Sequence, residues 1–168
     1  MRIISFDVSS VSTGWSLFDD GRLKSYGLIT RSVICDLPVV ARLFIFKNDA
    51  KGLLEKYKPN YVLIEETYMK NVKTLKTLMQ FIGVLHLLCY ELHIEGIIDC
   101  SEPIFLSPNT VRSCFGVKGK EEAFDFVVNK YKKTLGKLDF KSGNDITDSI
   151  LQGLYWIKYL KEHDDEHE

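Results

Sequence analysis

The sequence predicts an α/β domain with a five-stranded mixed sheet, three antiparallel strands followed by parallel ones, flanked by helices. Three observations carry this expectation. The chain opens with three strand-like segments joined by a tight turn, its fourth strand carries an apolar run at Val62-Leu63-Ile64, and strands alternate with helices from there on.

RIISFDV (2–8) is short, rich in β-formers and bounded by serine, so it reads as a buried strand ending at Asp7 or just beyond. TGWSLF (13–18) and RLKSYGLI (22–29) flank Asp19-Asp20-Gly21, where the glycine supplies the positive φ of a hairpin. A helix follows from Pro38 to about Tyr57, with Val40, Leu43, Phe44, Leu53 and Leu54 at helical spacing and Pro59-Asn60 as its stop. YVLIEE (61–66) is the fourth strand, its Val62-Leu63-Ile64 run suited to a central position covered on both faces.

Residues 71–93 repeat Val72, Leu75, Leu78, Met79, Ile82, Leu85 and Leu88, the pattern of a long helix crossing the core. PIFLS (103–107) forms the fifth strand, Ser107-Pro108 starts a short helix through Val111, and KEEAFDFVVNKY (120–131) is another helix. The basic stretch KKTLGKLDFKSG reads as a loop leading into a final helix from about Asn144 to Leu160. The expectation is a single domain over 1–162, with 163–168 as a charged, fraying tail.

Composition narrows the function classes. The chain has 168 residues, is 45% hydrophobic and carries a net charge of −1, so any polyanion-binding surface must be a local patch. The four cysteines stand far apart with no CxxC pair, which predicts reduced thiols in a cytoplasmic protein and argues against zinc. No N-terminal segment has the order of a signal peptide, and no apolar run reaches the roughly 18 residues of a membrane span, so no membrane partner is expected.

The chemistry-bearing residues are acids. Asp7 ends one central strand, Glu65 ends another, and Asp145 and Asp148, three apart on the last helix, face the same side of it. Four carboxylates from three distant segments cannot share a partly buried place without a counter-charge, and a pair of Mg²⁺ ions would supply one. Taken singly, each acid also has an ordinary reading. Asp145 as a helix cap with Asp148 merely exposed is the plainest of these.

IISFDVSSVSTGWSLF, VLIEETYM, LSPNTVRSCFGVKGKEEAFDFV and GNDITDSILQGL, in this order, resemble the RuvC-type Holliday junction resolvases of the RNase H-like nuclease superfamily. The resemblance spans nearly the whole chain and implies an RNase H-like fold. It makes Asp7, Glu65, Asp145 and Asp148 a tetrad for two Mg²⁺ ions, with Mn²⁺ as a substitute and Asp7 bridging. Glu65 rather than Glu66 takes the family's glutamate position. The resemblance sets Tyr68 where an aromatic residue stacks into an opened junction, and Lys120, with Lys118 as its neighbour, beside the scissile phosphate. Arg112 matches a second basic position, and Lys70, Asn71, Lys73 and Lys76 line the start of the long helix as phosphate contacts.

The implied activity is paired, symmetric nicking of four-way junctions, leaving 5′-phosphate and 3′-hydroxyl ends. A two-fold homodimer would deliver it, with an interface around Phe81, Val84, Leu85 and Leu88. Val8-Ser9 stands where bacterial members usually have proline and glycine, and the net charge is low for a junction binder. Both departures imply a divergent member, viral or phage-encoded, with a substrate range reaching to forks and flaps. Rival readings are an RNA-directed nuclease of the same fold and a catalytically silent nucleic-acid-binding module. An actin-like ATPase lobe is disfavoured because one lobe's length of chain lacks the second.

Overall fold

The computed structural model describes residues 1–30, 36–66 and 71–164. Five strands form one sheet: β1 (Arg2–Asp7), β2 (Ser12–Asp19), β3 (Arg22–Thr30), β4 (Tyr61–Glu65) and β5 (Ile104–Leu106), in the spatial order β3-β2-β1-β4-β5. β1 and β2 pair antiparallel, as do β2 and β3, whereas β1-β4 and β4-β5 are parallel. This is the mixed, RNase H-like sheet the sequence implies. Around it lie α1 (Val39–Tyr57), α2 (Val72–Ile94), α3 (Pro108–Cys114), α4 (Lys120–Lys130), α5 (Lys132–Leu135) and α6 (Phe140–Asp164).

Strand alternation divides the core in two. Ile4, Phe6, Val62 and Ile64 point to one face and pack with Phe46, Ala50 and Leu54 of α1 and Phe81, Leu85 and Leu88 of α2. Ile3 and Leu63 point to the other and pack with Val111 of α3, Val127 of α4, and Ile146, Ile150 and Leu151 of α6. Asp7 and Glu65 share the parity of Ile3 and Leu63. They therefore emerge on the α6 side.

Several details differ from the sequence expectation, each for a local reason. The β2-β3 hairpin puts Asp20 (φ 46°) as well as Gly21 (φ 73°) in the left-handed region, the pattern of a two-residue turn matched to strand twist. α1 ends at Tyr57, as the sequence predicts, but the stop is made before Pro59. Lys58 turns left-handed at φ 45° and its N–H donates to the Leu54 carbonyl, closing the last turn. Val40 and Phe44, taken as part of the apolar face, are 77% and 67% exposed; the buried stripe runs instead through Phe46, Ala50 and Leu54.

α3 runs on to Cys114 rather than stopping at Val111. The supposed loop 132–143 holds α5 and the first turn of α6, so α6 begins four residues before Asn144. Asp139 explains the early start: its carboxylate accepts from the Ser142 N–H at 3.1 Å and from the Ser142 hydroxyl, capping the helix. Asp145 thus lies in the second turn of α6, and the reading of it as the helix cap is corrected.

α2 also corrects two expectations. By length and composition it is apolar enough to cross a membrane, contrary to the sequence count. Here it is a core helix: Phe81, Leu85 and Leu88 are fully buried against the sheet, so those three belong to the interior and not to a subunit interface. Cys89 is buried, Cys100 and Cys114 are half-buried, and all three are free thiols. Burial pushes the Cys89 thiol well above its ordinary range, so it is unreactive. Cys35 lies outside the described residues.

Candidate active site

The site is assembled at the C-terminal ends of β1 and β4. Parallel pairing sets Phe6 opposite Ile64, which brings the residues after them, Asp7 and Glu65, to adjacent strand ends on the same face. Glu66 has the opposite parity, and its N–H is taken by the Leu106 carbonyl at 2.9 Å. The strand geometry therefore selects Glu65 as the acid aimed at α6.

α6 reaches these strand ends because two glycines and three serines let it dock closely. A Cβ on Gly14, the β2 residue paired with Asp7, would lie 2.0 Å from the Asp145 carbonyl oxygen. A Cβ on Gly153 would lie 2.5 Å from the Phe18 ring. Between these contacts, the Ser5 hydroxyl donates to the Ser149 carbonyl at 2.7 Å and meets the Ser16 hydroxyl at 2.9 Å. Thr147, Asp148 and Ser149 are all buried as a result.

Sequence reasoning missed Gly14, Gly153 and this serine rung. A glycine inside a strand is a signal of close backbone approach, and a run of small polar residues on two neighbouring strands and a helix was the other available clue.

The electrostatics show that the four acids converge. Burial is the largest influence raising the Asp7 carboxyl well above its ordinary range, and the charges of Glu65, Asp148 and Asp145 add to it. Glu65 is pushed up to about 7, again chiefly by burial and then by Asp148. Asp145 is raised by burial, with Lys120 opposing and Asp148 assisting, while the Ser12 hydroxyl bonds its charged form.

Two cations hold the cluster together. Lys120, the first residue of α4, places Nζ 3.1 Å from Asp148 Oδ2, and Arg112 of α3 stands 3.9 Å from the same oxygen. Burial alone would lower the Lys120 ammonium, but Asp148, Asp7 and Glu65 outweigh it and raise its pKa. Despite these charges, Asp148 Oδ2 is buried without a hydrogen-bond donor in good geometry among the described residues.

No group of three His, Cys, Asp or Glu side chains among the described residues is closed into a metal-ligand set. The acids share one electrostatic environment with a lysine for counter-ion instead. Their chemistry nonetheless fits a hard divalent cation: every donor is a carboxylate oxygen, and their mutual repulsion demands positive charge.

The remaining sequence-predicted residues distribute as follows. Lys118 is exposed next to Lys120, and its backbone N–H donates to Glu122 at 2.8 Å, tying the approach to α4. Asn71 is the N-cap of α2, its side-chain oxygen accepting from the N–H groups of Lys73 and Thr74. Lys73 and Lys76 are exposed on the first turns of α2. Tyr68 and Lys70 lie outside the described residues.

Comparison with known proteins matches this arrangement to one family. The family model described as "Crossover junction endodeoxyribonuclease RuvC" matches residues 3–150, from β1 to the buried turns of α6. The RuvC protein of Syntrophomonas wolfei is 33% identical over 90 residues, 51% of either chain, so the chain spans about half the length of the curated relatives it matches. Among solved structures, Thermus thermophilus RuvC in complex with Holliday junction substrate superposes with a TM-score of 0.73 at 15% identity, covering 96% of both chains. The Fowlpox virus resolvase in complex with Holliday junction DNA gives 0.55 at 16% identity, covering 95% of this chain and 99% of that one. Such identities establish a shared fold, and the family match over all four acid positions does the rest: the chain belongs to the crossover junction endodeoxyribonuclease RuvC family.

Proposed function

We propose that this chain is a cytoplasmic, divalent-metal-dependent endonuclease that resolves four-way junctions or other branched DNA by paired, symmetric nicks leaving 5′-phosphate and 3′-hydroxyl ends. The observation that carries the reading is the convergence of Asp7, Glu65, Asp145 and Asp148 from β1, β4 and α6 on one buried place, with Lys120 as counter-charge. A purely structural sheet has no use for acids whose burial raises their own pKa values. Asp7, Glu65, Asp145 and Asp148 would hold two Mg²⁺ ions, with Mn²⁺ able to replace them. Bound there, the ions supply Lewis acidity at the attacking and departing oxygens of the phosphodiester.

The chain's own residues do the rest. Asp7, rigid at a strand end, and Asp148, on a buried helical turn, fix the carboxylate positions so that little rearrangement is needed when DNA arrives. Lys120, now paired with Asp148, sits on an α4 start from which its ammonium can turn to the scissile phosphate and offset charge developing there. Arg112 stays beside Asp148 Oδ2 meanwhile, 3.9 Å away. Lys118, Lys73, Lys76, Lys70 and the Asn71 amide would contact backbone phosphates, and Tyr68 would stack on an unpaired base.

Residues 1–162 act as one nuclease unit in this scheme, and two copies make the symmetric pair of nicks. The interface is the outer stripe of α2, where Met79, Leu87, Tyr90 and Ile94 are exposed along one side with Gly83, which has open space around it, among them. Helix-on-helix contact along such a stripe is self-complementary about a two-fold axis.

Incubation with a synthetic four-way junction and Mg²⁺, with nick positions mapped on all four strands, tests the function. Symmetric nicks on two opposed strands are expected, and Asp7→Asn should abolish them while leaving junction binding in EDTA intact. Undiminished cleavage by purified Asp7→Asn protein would overturn the assignment.

A further inference from the structure

One turn from Asp148, α6 buries an amide that finds no partner among the described residues. Gln152 is 1% exposed, and neither its Oε1 nor its Nε2 has a hydrogen-bond partner among the described residues. An unbranched apolar side chain of similar length would fill the same space without stranding two polar groups, so packing alone does not account for a glutamine here.

Two further polar atoms lie on the same stripe of the helix. Asp148, 4% exposed, precedes Gln152 by four residues, and its buried Oδ2 is met from the α3–α4 side by Lys120 at 3.1 Å and Arg112 at 3.9 Å; Trp156 follows by four and leaves Nε1 without an acceptor among the described residues. Residues four apart on a helix lie on the same face one turn away from each other. The four atoms are chemically complementary in series: an indole N–H that only donates, an amide that accepts at one end and donates at the other, and a carboxylate that only accepts. The neighbouring Ser149 is by contrast satisfied: its carbonyl accepts from the Ser5 hydroxyl, which also meets the Ser16 hydroxyl, and its own hydroxyl donates to the Ile146 carbonyl.

We propose that Gln152 is a positioning residue for Asp148, the middle link of a buried relay in which Trp156 Nε1–H donates toward Gln152 Oε1 and Gln152 Nε2–H donates toward Asp148 Oδ2, each link through one trapped water. The relay orients the carboxylate from below and leaves its other oxygen free. It also keeps that orientation when Lys120 leaves Asp148 for a phosphate, which a salt bridge alone does not do. The inference rests on the metal-binding reading of the four acids.

The test is Mg²⁺ titration of DNA-free protein by calorimetry, comparing wild type with Gln152→Leu and Trp156→Phe, alongside junction binding in EDTA and thermal melting. Losing a hydrogen-bond partner behind a metal ligand typically weakens affinity by about 10-fold to 100-fold. Gln152→Leu should lose at least about 10-fold in Mg²⁺ affinity, with junction binding in EDTA unchanged and a melting temperature equal to or above wild type. Trp156→Phe, which keeps the ring and removes only the donor, should lose about three-fold. Equal Mg²⁺ affinity in wild type and both variants overturns the relay while leaving the nuclease reading intact. Failure of the wild type itself to bind Mg²⁺ overturns both. If Gln152→Leu does not fold, the Trp156→Phe affinity decides.

Discussion

At the scale of single residues, the acid cluster makes the protein's stability depend on pH in a direction opposite to that of a salt-bridged carboxylate. Glu65 has a folded pKa of about 7 against an ordinary 4.5, so between those values the folded protein binds more protons than the unfolded one. Stability is therefore highest below about pH 4.5 as far as this group is concerned, and declines as pH rises through the window to about 7. From Glu65 alone the loss is on the order of 3 kcal/mol. Urea denaturation of metal-free protein should show a lower midpoint at pH 8 than at pH 5, Glu65→Gln should flatten much of that difference, and Mg²⁺ at pH 8 should restore the midpoint. A metal-free midpoint that rises between pH 5 and pH 8 would contradict the environment described for Glu65.

The residues of the site were legible in the sequence to very different degrees. Asp7 and Glu65 stood out because an acid at the end of an apolar strand needs a reason. Asp148 did not, because its spacing from Asp145 suits an exposed helix start equally well, and only the burial of Thr147-Asp148-Ser149 decides the matter. Gln152 was invisible: a glutamine among apolar helix positions says nothing until both of its amide atoms are found without partners.

At the scale of elements, the placement of α6 is the controlling variable. Gly14→Ala would drive a methyl group into the Asp145 backbone, where the distance of 2.0 Å leaves nothing flexible to yield. The helix must shift, at a cost of about 1–3 kcal/mol or more, and the acids shift with it. Junction nicking should fall by at least about 10-fold, and the urea midpoint should drop; wild-type activity in Gly14→Ala would mean that α6 docks elsewhere. Asp139→Ala should cost about 1 kcal/mol by uncapping the first turn of α6, read as a lower melting temperature.

Element boundaries illustrate why sequence patterns stop short. The strands were recognised to within one or two residues, since alternation and flanking turns leave little choice. The start of α6 was displaced because Ser142, Gly143 and Asn144 are poor helix signals, and one aspartate capping from outside the periodic pattern outweighs them. On α1, Val40 and Phe44 fit helical spacing as well as Phe46, Ala50 and Leu54 do. Which set faces inward depends on the helix's rotation about its axis over the sheet, which spacing alone does not specify.

At the scale of the whole molecule, the sheet separates two layers with different obligations. α3 to α6 cover the face from which Asp7 and Glu65 emerge, while α1 and α2 cover the reverse face and present the exposed apolar stripe of α2 to the outside. Leu87→Glu should convert the proposed homodimer to monomer, seen by sedimentation, with little change in melting temperature because Leu87 is 56% exposed. Monomers that nick single strands without symmetric pairing would connect assembly to resolution. An unchanged dimer would move the interface off α2.

The alternation that sets Asp7 and Phe6 on opposite sides of β1 has a consequence for how such a chain can change over time. Within a strand, inserting or deleting one residue exchanges the two sides at once and puts a phenylalanine where the acid was. Substitutions on the outward side of the helices carry no such restriction. That side can be rewritten one substitution at a time, for a new partner copy or a new branch of DNA, without moving the reacting groups. A protein divided in this way can drift to 15% identity with Thermus thermophilus RuvC while its backbone still superposes along nearly its whole length.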